Sequence, residues 1–173
     1  QEINSGESQL TFKSTGTYAW KQNENGTWQS ENYHVNNSTT TMESDEFTIP
    51  NSTLTFDWSV SSESLSCDYA YYTITNVKTG EKIGGANTKI GGTSYGTDYN
   101  SLKFNSIEQK LDAGTYKISF TYRKDSSGHT GLDRAYVKNV KIAYKKITEI
   151  PYLTDENGSL KIENIEWGNY YIK

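Results

Sequence analysis

The stretch Leu54-Thr-Phe-Asp-Trp-Ser-Val-Ser-Ser-Glu63 decides the fold, because its apolar and polar side chains alternate one by one. A β-strand turns successive side chains to opposite faces, so this alternation predicts a strand with one buried and one solvated face. A second stretch, Leu111-Asp-Ala-Gly-Thr-Tyr-Lys-Ile-Ser-Phe-Thr-Tyr-Arg-Lys-Asp125, repeats the pattern from Tyr116 to Tyr122. Half-buried strands are typical of antiparallel sheets, and two such sheets packed face to face form a β-sandwich.

The composition agrees with an all-β chain. Only 33% of the 173 residues are apolar, but 13% are aromatic and fourteen are Tyr, so a thin core of large rings is feasible. Thr and Tyr favour strands, Asn and Gly favour turns, and no segment keeps a helical repeat of apolar residues. We therefore predict an antiparallel β-sandwich over residues 1–146, followed by a short β-hairpin tail over 147–173.

Charge and cysteine content exclude several classes of function. The net charge is −4 and the two signs are interspersed, which argues against binding to nucleic acid. No apolar run approaches membrane-spanning length, so we expect no membrane insertion. The single Cys67 cannot form an intrachain disulfide. By analogy with disulfide-free extracellular β-modules, we expect a mature or trimmed chain of a Gram-positive bacterium, secreted or attached to the cell wall.

Turn residues divide the remainder into further strands, among them a hairpin with the turn Asn23-Glu-Asn-Gly26. Between residues 102 and 111 the apolar Phe104 and Ile107 are out of phase, and an odd spacing of this kind predicts a β-bulge. The predicted segments are a strand around Leu10 and Phe12, hairpin strands over 18–21 and 27–33, strands over 39–49 and 102–111, a hairpin over 67–84, and a last strand over 134–144.

A set of motifs spread over roughly residues 10–145 comprises Leu54-x-Phe56-x-Trp58-x-Val-Ser-Ser-Glu63, Asp68, Leu111-x-x-Gly114, Phe120-x-Tyr122-x-Lys124-Asp125 and Gly131-x-Asp133. These motifs resemble a jelly-roll module of bacterial surface and secreted proteins, related in architecture to MAM and laminin-G-like sandwiches. Such modules usually serve adhesion or recognition and have no catalytic apparatus, so the resemblance implies an antiparallel jelly-roll β-sandwich that acts as a recognition domain.

The tail contains the turn Thr154-Asp-Glu-Asn-Gly158 and the strand-like segment Gly168-Asn-Tyr170. In these two segments it is similar to the middle of a collagen-adhesin B-type, prealbumin-like repeat. Such repeats often carry a Lys–Asn isopeptide bond, but no lysine-bearing first strand precedes this segment, and we do not predict the crosslink in the tail. The similarity implies a multi-module parent with neighbouring β-modules in the same polypeptide.

Two patterns could carry catalysis, and neither is favoured. Glu43 and Asp45 occupy alternate positions and so share a strand face, as the paired carboxylates of a glycosidase must. The laminarinase-type pattern Glu-x-Asp-x-x-Glu is broken at Glu46, however, and a solvated strand edge is the preferred interpretation. His129 lies beside two serines, but no nucleophile-elbow motif surrounds it. We predict that the protein is not an enzyme.

No cofactor is predicted, and calcium is the alternative left open. Several acidic residues lie at strand ends or on polar faces, where sandwich loops could supply the oxygens that calcium requires. The preferred interpretation is that Glu63, Lys124, Asp125 and Arg134 form ion pairs that hold loops in place. The candidate calcium ligands are Asp57, Glu63, Asp125 and Asp133.

Aromatic residues outside the clean core strands are the best indication of binding. Exposed rings can stack on sugar faces or anchor a protein contact, and the Gly-, Thr- and Tyr-rich segment 84–100 suits adaptable polar contacts. The alternative is that some rings complete the core, which is favoured for the two tryptophans. The candidate ligand-binding residues are Trp20, Trp28, Tyr33, Tyr95 and Tyr99.

Taken together, these features predict a non-catalytic recognition or adhesion module that binds a glycan or a host surface protein through loop aromatics. Two alternatives remain open: an ancillary carbohydrate-binding module of a secreted glycoside hydrolase, and a structural stalk spacer whose aromatics are all buried. A sandwich-fold glycoside hydrolase that depends on Glu43 or Asp45 is the least favoured interpretation.

Overall fold

A computed structural model describes residues 3–92, 98–147 and 156–157 of the chain. No helix within these residues is long and apolar enough to cross a membrane. Their strands are β1 (Ile3–Gln9), β2 (Phe12–Ser14), β3 (Lys21–Gln22), β4 (Trp28–Gln29), β5 (Thr39–Ser44), β6 (Phe47–Ile49), β7 (Ser52–Ser61), β8 (Tyr69–Asn76), β9 (Lys82–Gly84), β10 (Asn105–Leu111), β11 (Gly114–Arg123) and β12 (Arg134–Ile147), with short 3-10 helices at Ala86–Thr88 and Tyr99–Ser101.

The strands form two antiparallel sheets, which confirms the predicted β-sandwich. In the first sheet the order is β10-β7-β12-β4-β3, and β1 also pairs with β12. In the second sheet the order is β2-β5-β11-β8-β9, and β6 also pairs with β11. Neighbouring strands are often distant in sequence, as expected when a chain alternates between two sheets.

The two deciding stretches form central strands, one in each sheet. Phe56 of β7 and Phe120 of β11 meet between the sheets with ring centroids 4.9 Å apart and ring planes at 83°. This edge-to-face arrangement is the one that aromatic pairs prefer. Each strand buries every second side chain, as the alternation predicts: Leu54, Phe56, Trp58 and Val60 on β7, and Tyr116, Ile118, Phe120 and Tyr122 on β11.

The predicted bulge in residues 102–111 is wrong. β10 pairs with β7 without a shift from Asn105 to Leu111. Phe104 precedes the strand, so its position in the apolar–polar alternation does not bear on the pairing of β10. The irregularity lies in β12 instead, where the pairing with β7 shifts between Lys138 and Lys141 and Asn139 has a φ of 55°.

Other predicted segments are present but shorter or divided. The strand predicted over 39–49 is split into β5 and β6, both of which pair with β11. The hairpin at Asn23 to Gly26 is confirmed, since the Gly26 N–H donates to the Asn23 carbonyl at 3.0 Å, but its strands have only two residues each. β8 and β9 form the second predicted hairpin. The predicted tail lies outside the described residues, apart from Ile147 and a turn at 156–157.

Candidate ligand-binding face

The outer face of the first sheet brings together two of the predicted binding residues. On β12, Ala135 and Val137 are buried between the sheets, so Arg134, Tyr136 and Lys138 project from the opposite side. Tyr33 and Tyr99 reach these side chains from separate loops, and so does Phe104. We call the combined set the β12 row: Arg134, Tyr136 and Lys138 with the rings of Tyr33, Tyr99 and Phe104.

At one end of the row, Tyr33 stacks on Arg134. The guanidinium carbon lies 3.7 Å from the ring centroid, and Tyr33 is 42% exposed. The same guanidinium donates to the Ser30 carbonyl at 2.8 Å and pairs with Glu31. A planar guanidinium that is fixed by a hydrogen bond and an ion pair offers a rigid surface on which an aromatic ring can stack. Arg134 therefore fixes the position of an exposed ring.

The partner of Arg134 remains a carboxylate. Burial raises the pKa of Glu31, but hydrogen bonds from Gln29 and Arg134, together with the positive charges of Arg134 and Lys21, outweigh burial and hold that pKa below its ordinary value. Because Glu31 is ionised at neutral pH, its contact with Arg134 is a charge-assisted hydrogen bond.

In the middle of the row, Tyr99 packs against the sheet. Its hydroxyl shares a 2.6 Å hydrogen bond with the Thr27 hydroxyl, and its ring lies edge-on to Tyr136 with centroids 5.8 Å apart. Asp98 caps the 3-10 helix that carries Tyr99 by accepting hydrogen bonds from two of its backbone N–H groups. Burial raises the pKa of Tyr136 to about 12, so this phenol is neutral at physiological pH.

Phe104 completes the row at its other end. Its ring lies edge-on to Tyr99 with centroids 6.3 Å apart, and the Lys138 Nζ lies 3.9 Å from its ring centroid. From Arg134 to Lys138 the row extends about 13 Å along the strand, at the usual rise per strand residue. It is therefore long enough to contact more than one unit of an extended ligand.

A polar groove continues the face beyond Lys138, which lies directly opposite Asp57 in the β7–β12 pairing. Asp57 accepts hydrogen bonds from Ser106 at 2.5 Å and from Asn139 at 2.7 Å. Burial raises the pKa of Asp57, but these hydrogen bonds and two nearby lysine charges lower it overall. The groove is lined by hydroxyl, amide, carboxylate and ammonium groups, among them Gln9, Thr55, Asp57, Ser106, Asn139 and Lys141.

The two tryptophans lie in or against the core. Trp20 is 3% exposed, so the core interpretation holds for it and it does not line a binding surface. Trp28 is half-buried and packs edge-on against Phe12 with centroids 6.2 Å apart. Trp20 directly precedes β3, and Trp28 is the first residue of β4. Tyr95, the remaining predicted binding residue, lies outside the described residues.

A second aromatic pair, which our sequence analysis missed, lies on the outer face of the second sheet. The Tyr69 and Tyr71 ring centroids are 6.2 Å apart, and the cationic groups of Lys89 and Arg123 lie 4.8 and 5.5 Å from the Tyr69 ring centroid. The signal was present in the sequence, because alternate residues of β8 are buried and the two tyrosines occupy the other positions. The predicted binding segment 84–100 begins beside this strand, where Ile90 bridges to Ala70.

A buried charge cluster lies at one end of the sandwich. Lys124 and Asp68 have side chains that are 1% exposed, and the Asp133 side chain is 0% exposed. The Lys124 Nζ lies 2.6 Å from Asp68 Oδ2 and also contacts Asp133 Oδ1. The predicted pairing with Glu63 and Asp125 is therefore wrong in its partners, because Lys124 pairs with Asp68 and Asp133 and Arg134 pairs with Glu31.

The two carboxylates of this cluster have different surroundings. Asp133 accepts hydrogen bonds from the His34 backbone N–H at 2.6 Å and from the Tyr122 hydroxyl at 3.4 Å, and its Oδ2 lies 3.2 Å from His129 Nδ1. Burial and the nearby negative charges raise the pKa of Tyr122, so its hydroxyl remains a donor. Asp68, besides its contact with the lysine, accepts one hydrogen bond from a backbone N–H, that of Asp125, at 2.9 Å.

The predicted calcium ligands do not form one site among the described residues. Asp57 lies on the outer face of the first sheet, within β7, whereas Asp133 belongs to the buried cluster at the end of the sandwich. The sequence could not reveal this separation, because it depends on how loops fold back over the strand ends. Lys124 already supplies a positive charge to Asp133.

Glu63 and Asp125 do come together, and they do so beside Cys67. One ligand atom from each of the three lies within 4.8 Å of the others. Burial and neighbouring carboxylates raise the pKa of Glu63, and its Oε1 is buried without a hydrogen-bond partner among the described residues. Calcium prefers oxygen ligands, and a thiol is a poor substitute, so this trio falls short of a calcium site.

The paired carboxylates considered for glycosidase chemistry are exposed. Glu43 lies 3.0 Å from the Lys117 ammonium, and Asp45 lies 2.6 Å from that of Lys13. Each carboxylate is thus paired with a lysine on an open face. Both are solvated, as the preferred interpretation held, but Glu43 lies in β5 between β2 and β11 and so is on the outer face of the sheet rather than at its edge.

In comparisons with known proteins, no family model and no curated protein matches the chain. Among solved structures, it matches the secreted serine protease VesC from Vibrio cholerae with a TM-score of 0.43 and 15% identity over 69% of this chain, which spans 21% of that protein. It matches TmCBM61, solved in complex with β-1,4-galactotriose, with a TM-score of 0.44 and 11% identity over 80% of this chain and 90% of that one.

The K3 cleaved adhesin domain of Lys-gingipain from Porphyromonas gingivalis gives a TM-score of 0.44 and 16% identity, over 77% of this chain and 91% of that one. The neighbours thus include a carbohydrate-binding module and an adhesin domain. The more specific resemblances to MAM, laminin-G-like and collagen-adhesin domains are not confirmed by them. At these TM-scores and identities the neighbours assign no function, which has to be argued from the face itself.

Proposed function

We propose that this domain is a non-catalytic recognition module that binds an oligosaccharide across the outer face of the first sheet. The observation that carries the proposal is the continuity of the β12 row with the polar groove, through Lys138 and Asp57. Sugars present apolar C–H faces and a dense set of hydroxyl groups. Aromatic rings suit the first, and fixed carboxylate, amide and hydroxyl groups suit the second.

The side chains of the face are held by contacts within the protein. Arg134 holds Tyr33, the Thr27 hydroxyl holds Tyr99, and two hydrogen bonds hold Asp57. Fixed side chains lose little conformational entropy on binding, so more of the contact energy contributes to affinity. This favours a ligand-binding face over a spacer surface, as does the 42% exposure of Tyr33, since a spacer predicts that the aromatics are buried.

The biological setting that we propose is extracellular. A secreted or cell-wall-attached adhesin, with neighbouring β-modules in its polypeptide, would use this face to bind host glycans. An ancillary carbohydrate-binding module of a secreted glycoside hydrolase would use the same face to bind the enzyme's polysaccharide substrate. The two settings share one ligand chemistry and differ in the rest of the parent protein.

The experiment is a glycan-array and extracellular-matrix screen of the domain, followed by affinity measurements on two matched tyrosine variants. Tyr33→Ala removes an exposed ring from the proposed face, whereas Tyr18→Ala removes one of similar exposure, 37%, elsewhere. We expect Tyr33→Ala to weaken binding about tenfold or more, as loss of a contact worth about 1.4 kcal/mol does. Tyr18→Ala should leave the affinity unchanged.

Three results would contradict the proposal. A silent screen would favour the spacer. Binding only to matrix proteins would indicate a host protein ligand instead of a glycan. Binding that is lost in Tyr71→Ala but kept in Tyr33→Ala would move the site to the outer face of the second sheet.

A further inference from the structure

We propose that Lys124 and Asp68 become joined by an intramolecular isopeptide bond that the folded chain forms by itself. The observation behind it is a lysine ammonium 2.6 Å from a carboxylate oxygen, with both side chains 1% exposed. A side-chain amine and a carboxyl held in contact away from water are the two components of an amide. The bond would lie in the buried charge cluster, apart from the ligand-binding face.

The strand pairing explains why these two side chains meet. β11 and β8 are antiparallel neighbours, and Arg123 lies opposite Tyr69 at the end of their ladder. The residues that follow this pair, just beyond the end of the ladder, are Lys124 and Asp68. Tyr122 and Ala70, two residues away on the same strands, are buried, so Lys124 and Asp68 point to the same interior side of the sheet. The pairing of two adjacent strands thus places an amine next to a carboxyl group.

The reaction begins with a proton transfer within the ion pair. Transfer of one proton from Lys124 Nζ to Asp68 Oδ2 turns the ion pair into an amine and a carboxylic acid without changing the total charge. The amine then has the free electron pair that a nucleophile requires.

The different surroundings of the two carboxylates assign their roles. Asp133 accepts from Tyr122, the His34 backbone and Lys124, so its carboxylate is held in place beside the Lys124 Nζ. Asp133 is therefore the proton carrier. Besides its contact with the lysine, Asp68 accepts a hydrogen bond from the Asp125 backbone N–H at Oδ1. Its other oxygen, Oδ2, contacts the Lys124 amine. Asp68 is therefore the carboxyl that is attacked.

The reaction balances without any co-reactant. The Lys124 Nζ electron pair attacks Cγ of Asp68, forming the N–C bond, and negative charge develops on Oδ1, where the Asp125 N–H already donates. Asp133 takes a proton from Nζ and delivers it to the departing Oδ2 hydroxyl. The C–Oδ2 bond breaks and one water molecule leaves. Asp133 ends as the carboxylate that it was at the start, and nothing is oxidised or reduced.

The product fits the same surroundings. The new amide carbonyl is Oδ1, which retains its hydrogen bond from the Asp125 N–H. The new amide N–H faces Asp133 Oδ1, which contacts Nζ before the reaction. The charges of Lys124 and Asp68 are removed, and Asp133 exchanges its contact with the ammonium for one with the amide N–H while keeping the hydrogen bonds from the His34 backbone and the Tyr122 hydroxyl.

The test is a mass measurement and peptide map of the purified, folded chain. We expect the mass to fall short of the sequence mass by one water molecule, and a protease digest to yield a branched peptide joining the segments that contain Asp68 and Lys124. Because an N-terminal Gln can cyclise with loss of ammonia, the branched peptide is the decisive product. Intact linear peptides for both segments would overturn the proposal, and so would a branch from Lys124 to Asp133.

Variants test the assigned roles. Lys124→Arg keeps the charge but cannot form the amide, so its peptides should be linear, whereas Lys117→Arg at an exposed ion pair should keep the branch. Asp68→Asn should give the same branch with loss of ammonia in place of water. Asp133→Asn should lose the branch while circular dichroism shows a folded domain. A branch that persists in folded Asp133→Asn would overturn the role of Asp133, and the wild-type digest decides the bond itself even if a variant does not fold.

Discussion

Arg134 at the start of β12 and Tyr33 in a distant loop stack with the guanidinium carbon 3.7 Å from the ring centroid. An exposed ring stacked on a cation that is itself hydrogen-bonded and ion-paired is held more firmly than a ring in solvent. Arg134 therefore matters for the shape of the binding face although its own side chain is largely covered by partners.

Replacing Arg134 by Lys should lower both affinity and stability. Lysine keeps the charge but lacks the planar group that stacks on Tyr33 and donates to the Ser30 carbonyl. We expect the free energy of unfolding to fall by about 1 kcal/mol and glycan binding to weaken several-fold. Urea unfolding and calorimetric titration measure the two effects. Arg123→Lys, at a looser stack on the second sheet, is the matched control and should leave binding unchanged.

Removing the lysine of the buried cluster should have a much larger effect. Lys124→Ala leaves Asp68 and Asp133 buried without their common partner and also removes the proposed crosslink, so the free energy of unfolding should fall by at least about 3–5 kcal/mol. Lys117→Ala breaks an exposed pair and should change the free energy of unfolding by less than about 1 kcal/mol. Urea unfolding of both variants gives the comparison. Equal effects would show that the cluster contributes no more than a surface pair.

The pKa of Glu63 predicts a pH-dependent gain in stability for Glu63→Gln. Burial raises that pKa above 4.5, so the ionised carboxylate is disfavoured in the folded state. The resulting destabilisation is absent below the unfolded pKa and develops as pH rises through the folded pKa. Glu63→Gln should therefore raise the urea midpoint at neutral pH and leave it unchanged near about pH 3.5. Glu24→Gln, in an exposed turn, should change it at neither pH, and an equal gain at both pH values for Glu63→Gln would contradict the prediction.

Calcium should have no effect on thermal stability. Asp133 is already paired with Lys124, and the remaining trio of Glu63, Asp125 and Cys67 includes a thiol that calcium does not favour. We expect the same Tm in millimolar calcium and in chelator. A ligand at one hundred times its Kd would stabilise the fold by about 2.7 kcal/mol, so a rise of several degrees in calcium would reveal a metal site.

The strands were predictable because their signal is local. Alternation along Leu54 to Val60 and Tyr116 to Tyr122 depends only on neighbouring residues, and both segments are central strands. The bulge was misplaced for the opposite reason. Its position depends on which strand pairs with which, and the shift between Lys138 and Lys141 cannot be read from one strand alone.

The site was predictable only in part. Tyr33 and Tyr99 stood out as aromatics in polar segments, but their meeting along β12 depends on two loops that fold onto the same face. The buried cluster had a signal that sequence analysis could have used. The alternation of β11 continues past Tyr122, which places Lys124 on the inward side, and an inward lysine requires a buried acidic partner.

The pairing of β1 with β12 determines how the sandwich would yield under tension. Ile3 lies opposite Ile147 at one end of the antiparallel ladder. Because a pull applied at these two positions acts on that end, the hydrogen bonds of the ladder break one pair at a time. β1 would peel away at low force and lengthen the chain before β7 separates from β12. Strand β1 would thus be the first element to unfold under load. The segment between Asp68 and Lys124, once crosslinked at its two ends, could not be extended by the pull.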